Sequence, residues 1–160
     1  MPVNVRKADQ NDVPTIHSFI RQLAVYEKLE HEHVGTEDDL RATLFGETTF
    51  AHVFIASDET GDLGFALYFF NYSTFLSKPG IYLEDLFVVP EARGKGVGKA
   101  LLKHLAKTAV EMGCGRVSWS ALKWNTSATD FYEKAVGARR MDGWVGFRLQ
   151  GESLTKFASS

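Results

Sequence analysis

The 160-residue sequence predicts one α/β domain built on a mixed sheet. Two strand-like runs, 52–57 and 63–72, flank a polar turn containing Gly61, which predicts an antiparallel hairpin. Two more runs, 81–89 and 116–122, are separated by a helix-period segment and can therefore lie parallel, with the helix as a right-handed crossover. The length supports a single domain over residues 1–160, because domains typically run to about 100–200 residues.

The remaining elements follow in order. Residues 3–6 alternate as a short strand, and Asp9, Asn11 and Asp12 offer capping side chains ahead of Pro14 in a first helical turn. Ile16, Phe19, Ile20, Leu23 and Tyr26 recur at helical spacing, which predicts a helix to about Lys28 with that face buried. Gly35, Thr36 and the acidic triplet 37–39 repeat the start signal, and Leu40 and Leu44 mark a shorter helix that stops near Gly46. After the hairpin and the strand ended by Pro90, a helix with Val97, Leu101, Leu102, Leu105 and Ala109 on its inner face runs to Gly113. Residues 125–135 read as a short helix, 137–141 as an extended turn or strand, and 144–149 as a last strand before a polar tail. The predicted order is βααβββαβαββ.

Composition narrows the function. With 44% hydrophobic and 24% charged residues the chain is globular. Its formal net charge of -2 argues against a nucleic-acid partner, whose phosphates require clustered Lys and Arg. The single cysteine, Cys114, has no disulfide or metal partner in sequence, which fits a reducing compartment. His31 and His33 lack the spacing of helical zinc ligands, so a solvated turn is expected there and no metal. The first ten residues hold no apolar core of a signal peptide, and no apolar run approaches the ~20 residues of a membrane span. A cytoplasmic protein without a membrane partner is the expectation.

The segment 88–98 carries the most chemistry. A buried strand ends in a glycine-rich loop that opens a basic helix, an arrangement suited to phosphate because free backbone N–H groups at a helix start carry partial positive charge. Arg93, Lys95 and Lys99 are expected to add mobile positive charge. A Walker loop would need Ser or Thr after the lysine, where Ala100 stands. A dinucleotide fingerprint would need G-x-G-x-x-G and an acidic residue ending the next strand, which instead reads Val117-Ser-Trp-Ser-Ala. A plain strand-to-helix turn is the remaining non-functional reading.

Arg93-Gly-Lys-Gly96-Val-Gly98 resembles the R-x-x-G-x-G pyrophosphate motif of the GNAT family of N-acetyltransferases. The resemblance extends through Tyr26-Glu-Lys-Leu-Glu30, Gly64-Phe-Ala-Leu-Tyr68, Tyr82-Leu-Glu-Asp-Leu-Phe-Val88, Trp124-Asn125, Asp130-Phe-Tyr132 and Gly143-Trp144, in family order and closest to the diamine acetyltransferase branch. It implies a mostly antiparallel central sheet with helices on both faces and a splayed parallel strand pair. It also implies acetyl-CoA as cosubstrate and direct transfer to a primary amine of a small cationic substrate such as a polyamine or thialysine. Amino-acid or protein lysine acetylation, and a non-catalytic acyl-CoA-binding regulator, are the alternatives. Relatives commonly form homodimers, and an exposed edge at the last strand gives a motive for pairing.

Carried over residue by residue, the resemblance implies a cofactor site of Leu86, Phe87, Val88, Arg93, Gly94, Lys95, Gly96, Val97, Gly98, Lys99, Asn125, Ala128 and Tyr132. Asn125 is equally explained as a helix cap. Glu84 and Asp85 interrupt an apolar strand, and because successive side chains alternate, at least one must turn toward a covered face. By resemblance Glu84 is the general base, acting through ordered water, and Asp85 a pocket anion. Tyr132 would be the general acid that protonates the departing thiolate, or else an interior Tyr. Tyr26, Glu27, Asp85 and Asp142 would line the amine pocket, though Glu27 and Asp142 also read as ordinary exposed charges. One departure stands out: Gly137 follows Tyr132 by five residues where the family has four, so the helix is expected to extend by one residue.

Overall fold

A computed structural model describes residues 2–160, which divide into two compact units, one ending at Ser120 and one spanning Ala121–Ser160.

The first unit is a five-stranded sheet in the order β1-β2-β3-β4-β5, with β1 Asn4–Lys7, β2 His52–Asp58, β3 Gly61–Ser73, β4 Lys78–Val88 and β5 Val117–Trp119. Neighbours are antiparallel except β4 and β5, which pair in parallel. That pairing covers Ile81–Val117, Tyr82–Ser118 and Leu83–Trp119 and stops there, while β4 continues to Val88, so the two strands part beyond Leu83. β5 is much shorter than its sequence signal, because pairing on one edge is all that sustains it.

Helix α1, Val13–Tyr26, begins behind a 3-10 turn capped by Asp9. Arg6 grips Asp12 there with two bonds of 2.8 and 2.9 Å, which hold the Asp12 carboxyl below its ordinary range and tie β1 to the helix start. Ile16, Phe19 and Leu23 are buried, whereas Ile20 is half-buried and Tyr26 is exposed, so the predicted stripe does not reach the helix end. Helix α2, Glu37–Leu44, starts at a Thr36–Asp39 capping box, as its sequence demands. Helix α3, Val97–Glu111, buries the five apolar residues its period assigned to the inner face.

The two layers are fixed by which rings meet. Phe19 of α1 stacks on Phe65 and Phe87, at 5.7 Å each, while His104 of α3 meets Phe54 at 4.5 Å. Phe54 pairs in register with Ala66, so Phe65 points to the other face and α1 and α3 cover opposite sides of the sheet.

The second unit holds α4, Thr126–Phe131, a π-helical turn Tyr132–Val136, and α5, Gly151–Ala158. The strand expected over 144–149 is absent, and the tail expected to be polar coil forms α5 instead. A strand needs a hydrogen-bonded neighbour, which 144–149 lacks; α5 satisfies its backbone internally and concentrates Leu154 and Phe157 on one turn.

Candidate active site

The glycine loop is built to leave amides open. β4 ends at Val88, a 3-10 turn Pro90–Ala92 follows, and Gly94 and Gly96 take φ of 77° and 83°, the left-handed region that glycine alone enters freely. Gly96 caps α3 without any side-chain bond, and Ala100 N–H to Gly96 O, 2.9 Å, is the first bond of the helix. The N–H groups of Val97, Gly98 and Lys99 therefore lack intrahelical acceptors. A Cβ at Gly94 or Gly96 would meet open space, so this is a cradle an anion can enter, and it fits the pyrophosphate of acetyl-CoA. Gly98 differs: a Cβ there would lie 3.7 Å from Val88 Cγ2, so it packs the helix onto the strand. Lys95 and Lys99 are exposed, Leu86 and Val88 are half-buried, and Phe87 is buried under α1, which leaves mainly its backbone for a ligand.

Arg93 departs from expectation. Its Nε donates to Val88 O at 3.0 Å, and its guanidinium carbon lies 4.7 Å from the Tyr26 ring centroid and 5.7 Å from that of Phe87. It is pinned rather than mobile.

The acidic side arises from a bulge in β4. Tyr68 faces Leu83 and the preceding residue, Leu67, faces Asp85, so Glu84 is one residue too many on its strand. The bulge puts Leu83 and Asp85 on opposite faces: Leu83 enters the buried core, while Asp85 turns to the α1 side with Phe87. Glu84 is exposed and Asp85 half-buried. Burial, then the Glu84 carboxylate, then that of Glu27 push the Asp85 carboxyl up to about 6. Burial also raises Glu27, the half-buried C-cap of α1. Tyr26, Glu27, Glu84 and Asp85 are thus gathered at one place. The turn that presents them is unusual, because Lys28 adopts φ 61° where glycine is customary, closed by Lys28 N–H to Val25 O at 3.1 Å and Leu29 N–H to Ala24 O at 2.8 Å.

In the second unit, Asn125 Oδ1 accepts from Ala128 N–H at 3.4 Å, the cap reading of that residue. Tyr132 is half-buried, with its ring 5.6 Å from that of Phe131, and opens the π-turn that ends at Gly137. The extra residue before Gly137 thus extends the helix at its C-terminal end, where it is absorbed as a π-turn. Asp142 is exposed and lies 3.4 Å from Arg140 Nε.

The sequence did not reveal the bulge, the Arg93–Tyr26 stack or the left-handed Lys28. Only the bulge left a signal, two adjacent carboxylates in an apolar strand. His33 stacks on His17 at 5.0 Å, and among the described residues no group of three His, Cys, Asp or Glu is arranged to hold a metal. Among the same residues no helix is long and apolar enough to cross a membrane.

Residues 12–138 match the acetyltransferase (GNAT) family. The chain is 40% identical to a thialysine N-epsilon-acetyltransferase of Bos taurus, over 98% of this chain and 97% of that one. It is 35% identical to an L-ornithine N5-acetyltransferase of Arabidopsis thaliana, over 94% and 85%. An integron cassette protein from Vibrio cholerae shares the fold at a TM-score of 0.83, with 31% identity, over 100% of this chain and 99% of that one.

Proposed function

The chain belongs to the GNAT acetyltransferase family and is an acetyl-CoA-dependent N-acetyltransferase acting on an amine of a small substrate; from that premise we propose that the substrate carries a second cationic group. The observation that carries the proposal is the pair of half-buried carboxylates, Asp85 and Glu27, each raised by burial and Asp85 further by its acidic neighbours. Such a pair is unfavourable alone and gains most when an ammonium arrives. Polyamines, thialysine and ornithine all present one amine to react and another charge to be held, in keeping with the substrates for which the relatives are named.

Bound acetyl-CoA supplies the thioester. The chain's own residues do the rest: the amides at the start of α3 and Lys95 and Lys99 hold the anionic end, and the acidic pocket orients the amine. Only the neutral amine attacks, and in this reading Glu84 serves as the base through ordered water. In this reading Tyr132 donates the proton the thiolate needs, Asn125 and Ala128 flank the donor and Asp142 adds charge to the pocket. In this reading residues 1–160 work as one cytoplasmic domain. The exposed side chains of Trp144, Val145 and Phe147, 77%, 76% and 96% accessible, support a homodimer in which a second copy covers them.

The test is turnover of purified protein with acetyl-CoA against spermidine, thialysine, ornithine, lysine, an aminoglycoside, a lysine-containing peptide and a simple monoamine. Preference for the small dications is expected. Equal use of the monoamine, or preference for the peptide, overturns the reading, and binding of acetyl-CoA without any turnover identifies a regulator.

A further inference from the structure

Arg93 belongs by sequence to the phosphate loop, and its guanidinium also reaches the end of α1. Nε is committed to Val88 O, which fixes the head group against the end of β4, and the guanidinium carbon lies 4.7 Å from the ring centroid of Tyr26, the last residue of α1, and 5.7 Å from that of Phe87. We propose that Arg93 is a positioning residue for the amine pocket: it clamps the last turn of α1, and with it Glu27, against β4 where Asp85 stands. The proposal deepens the reading of that pocket and rests on it for its kinetic consequence, though not for the clamp itself.

Three features make the clamp necessary. The end of α1 is exposed at Tyr26, so burial holds it less than it holds the middle of the helix. The turn beyond contains Lys28 in a left-handed conformation that a non-glycine residue enters at a cost, which contacts favouring the closed turn oppose. Glu27, whose carboxyl burial raises, is pressed toward Asp85, and like carboxylates push that turn outward. A cation lying on the adjacent aromatic ring resists all three. It also occupies a face of Tyr26, so the substrate's ammonium is left to the carboxylates.

Two readouts test this. A partly exposed cation–π contact contributes about 0.5–1 kcal/mol, hence a two- to fivefold effect. In the protein without ligands, Arg93→Gln is expected to speed hydrogen exchange at the Lys28 and Leu29 amides by about that factor, with core amides of the sheet unmoved. At saturating acetyl-CoA, the same change is expected to raise KM for a dicationic amine two- to fivefold. The KM penalty should persist when Arg93→Gln is made in a Tyr26→Phe background, which keeps the ring, and vanish in Tyr26→Leu, which removes it. A penalty of equal size in the Leu background, or unaltered exchange at both amides, overturns the clamp. If the unmodified protein acetylates no amine, the pocket reading falls, and the exchange experiment still decides the clamp.

Discussion

The glycine loop with α3 and the acidic pocket between α1 and β4 carry opposite charge by opposite means. From 92 to 110 there are five Lys or Arg residues and no Asp or Glu, and the lysines among them are exposed, so water screens them at little cost. Glu27, Glu84 and Asp85 are crowded, and two of them are withdrawn from water, so their charge is held at a cost that appears as raised carboxyls. The lesson is that an anionic ligand can be attracted by a solvated row of charges, whereas selecting a cation takes a site that is unstable until the cation fills it.

The largest expected effect belongs to neither region. In the proposed mechanism Tyr132→Phe removes the proton donor to the thiolate, a contribution of ~10²–10⁴-fold. Turnover at saturating substrates should fall by that range while acetyl-CoA affinity and stability stay put; near-normal turnover with an unchanged alkaline limb reduces Tyr132 to a packing residue. Next is Gly96→Val, which forces a β-branched residue into φ 83° at the head of α3. Strain of ~1–3 kcal/mol that the loop relieves by moving translates to roughly a 5- to 150-fold loss of acetyl-CoA affinity, measured by calorimetry on folded protein. Unchanged affinity would separate the loop from the donor.

Legibility in the sequence followed the same divide. The five buried apolar residues of α3, the helix start at 35–39 and the hairpin over 52–57 and 63–72 are written in period and capping chemistry, and each appears in the structure. The backbone of the glycine loop was readable because glycine is what left-handed positions at a helix start call for. What escaped was set by tertiary competition. Tyr26 fits a helical stripe and yet is exposed, its ring lying beside Arg93, distant in sequence, instead of in the core. The strand over 144–149 has alternating apolar character, but a strand exists only with a partner. The one-residue excess after Tyr132 signalled a longer helix end, but that the last turn is π-helical depends on backbone bonding that no composition reveals.

Asp85→Asn sharpens the comparison on the acidic side. The folded-state pKa of Asp85, about 6, lies above the ~3.9 of an unfolded aspartate, so the native state binds the extra proton between those values. The carboxylate therefore costs nothing below about pH 4, costs increasingly from 4 to 6, and costs its full amount above 6. Removing it is expected to stabilise the protein by about 1–3 kcal/mol at pH 7–8 and by almost nothing at pH 4, while weakening dications more than monoamines. Urea midpoints across that range decide it, and a variant less stable at pH 8 would mean that the charge is already paired.

The smallest effect concerns the row Lys99, Lys103 and Lys107, spaced four residues apart on the exposed face of α3. At 1.5 Å per residue, Lys103 and Lys107 lie about 6 and 12 Å beyond Lys99 along the axis, too far to share the phosphate contact proposed for Lys99. Their remaining role is the field. At 0.1 M salt the Debye length of ~10 Å still spans that row, whereas at 1 M it shrinks to ~3 Å and the row falls silent. Lys103→Glu with Lys107→Glu is therefore expected to slow acetyl-CoA association about two- to fivefold at low salt, and not at 1 M, with dissociation and turnover unaltered. Stopped-flow association across the salt series reads this directly. A slowing that survives high salt would place the two lysines in contact with the ligand, and the claim that the basic region works through water would have to be withdrawn.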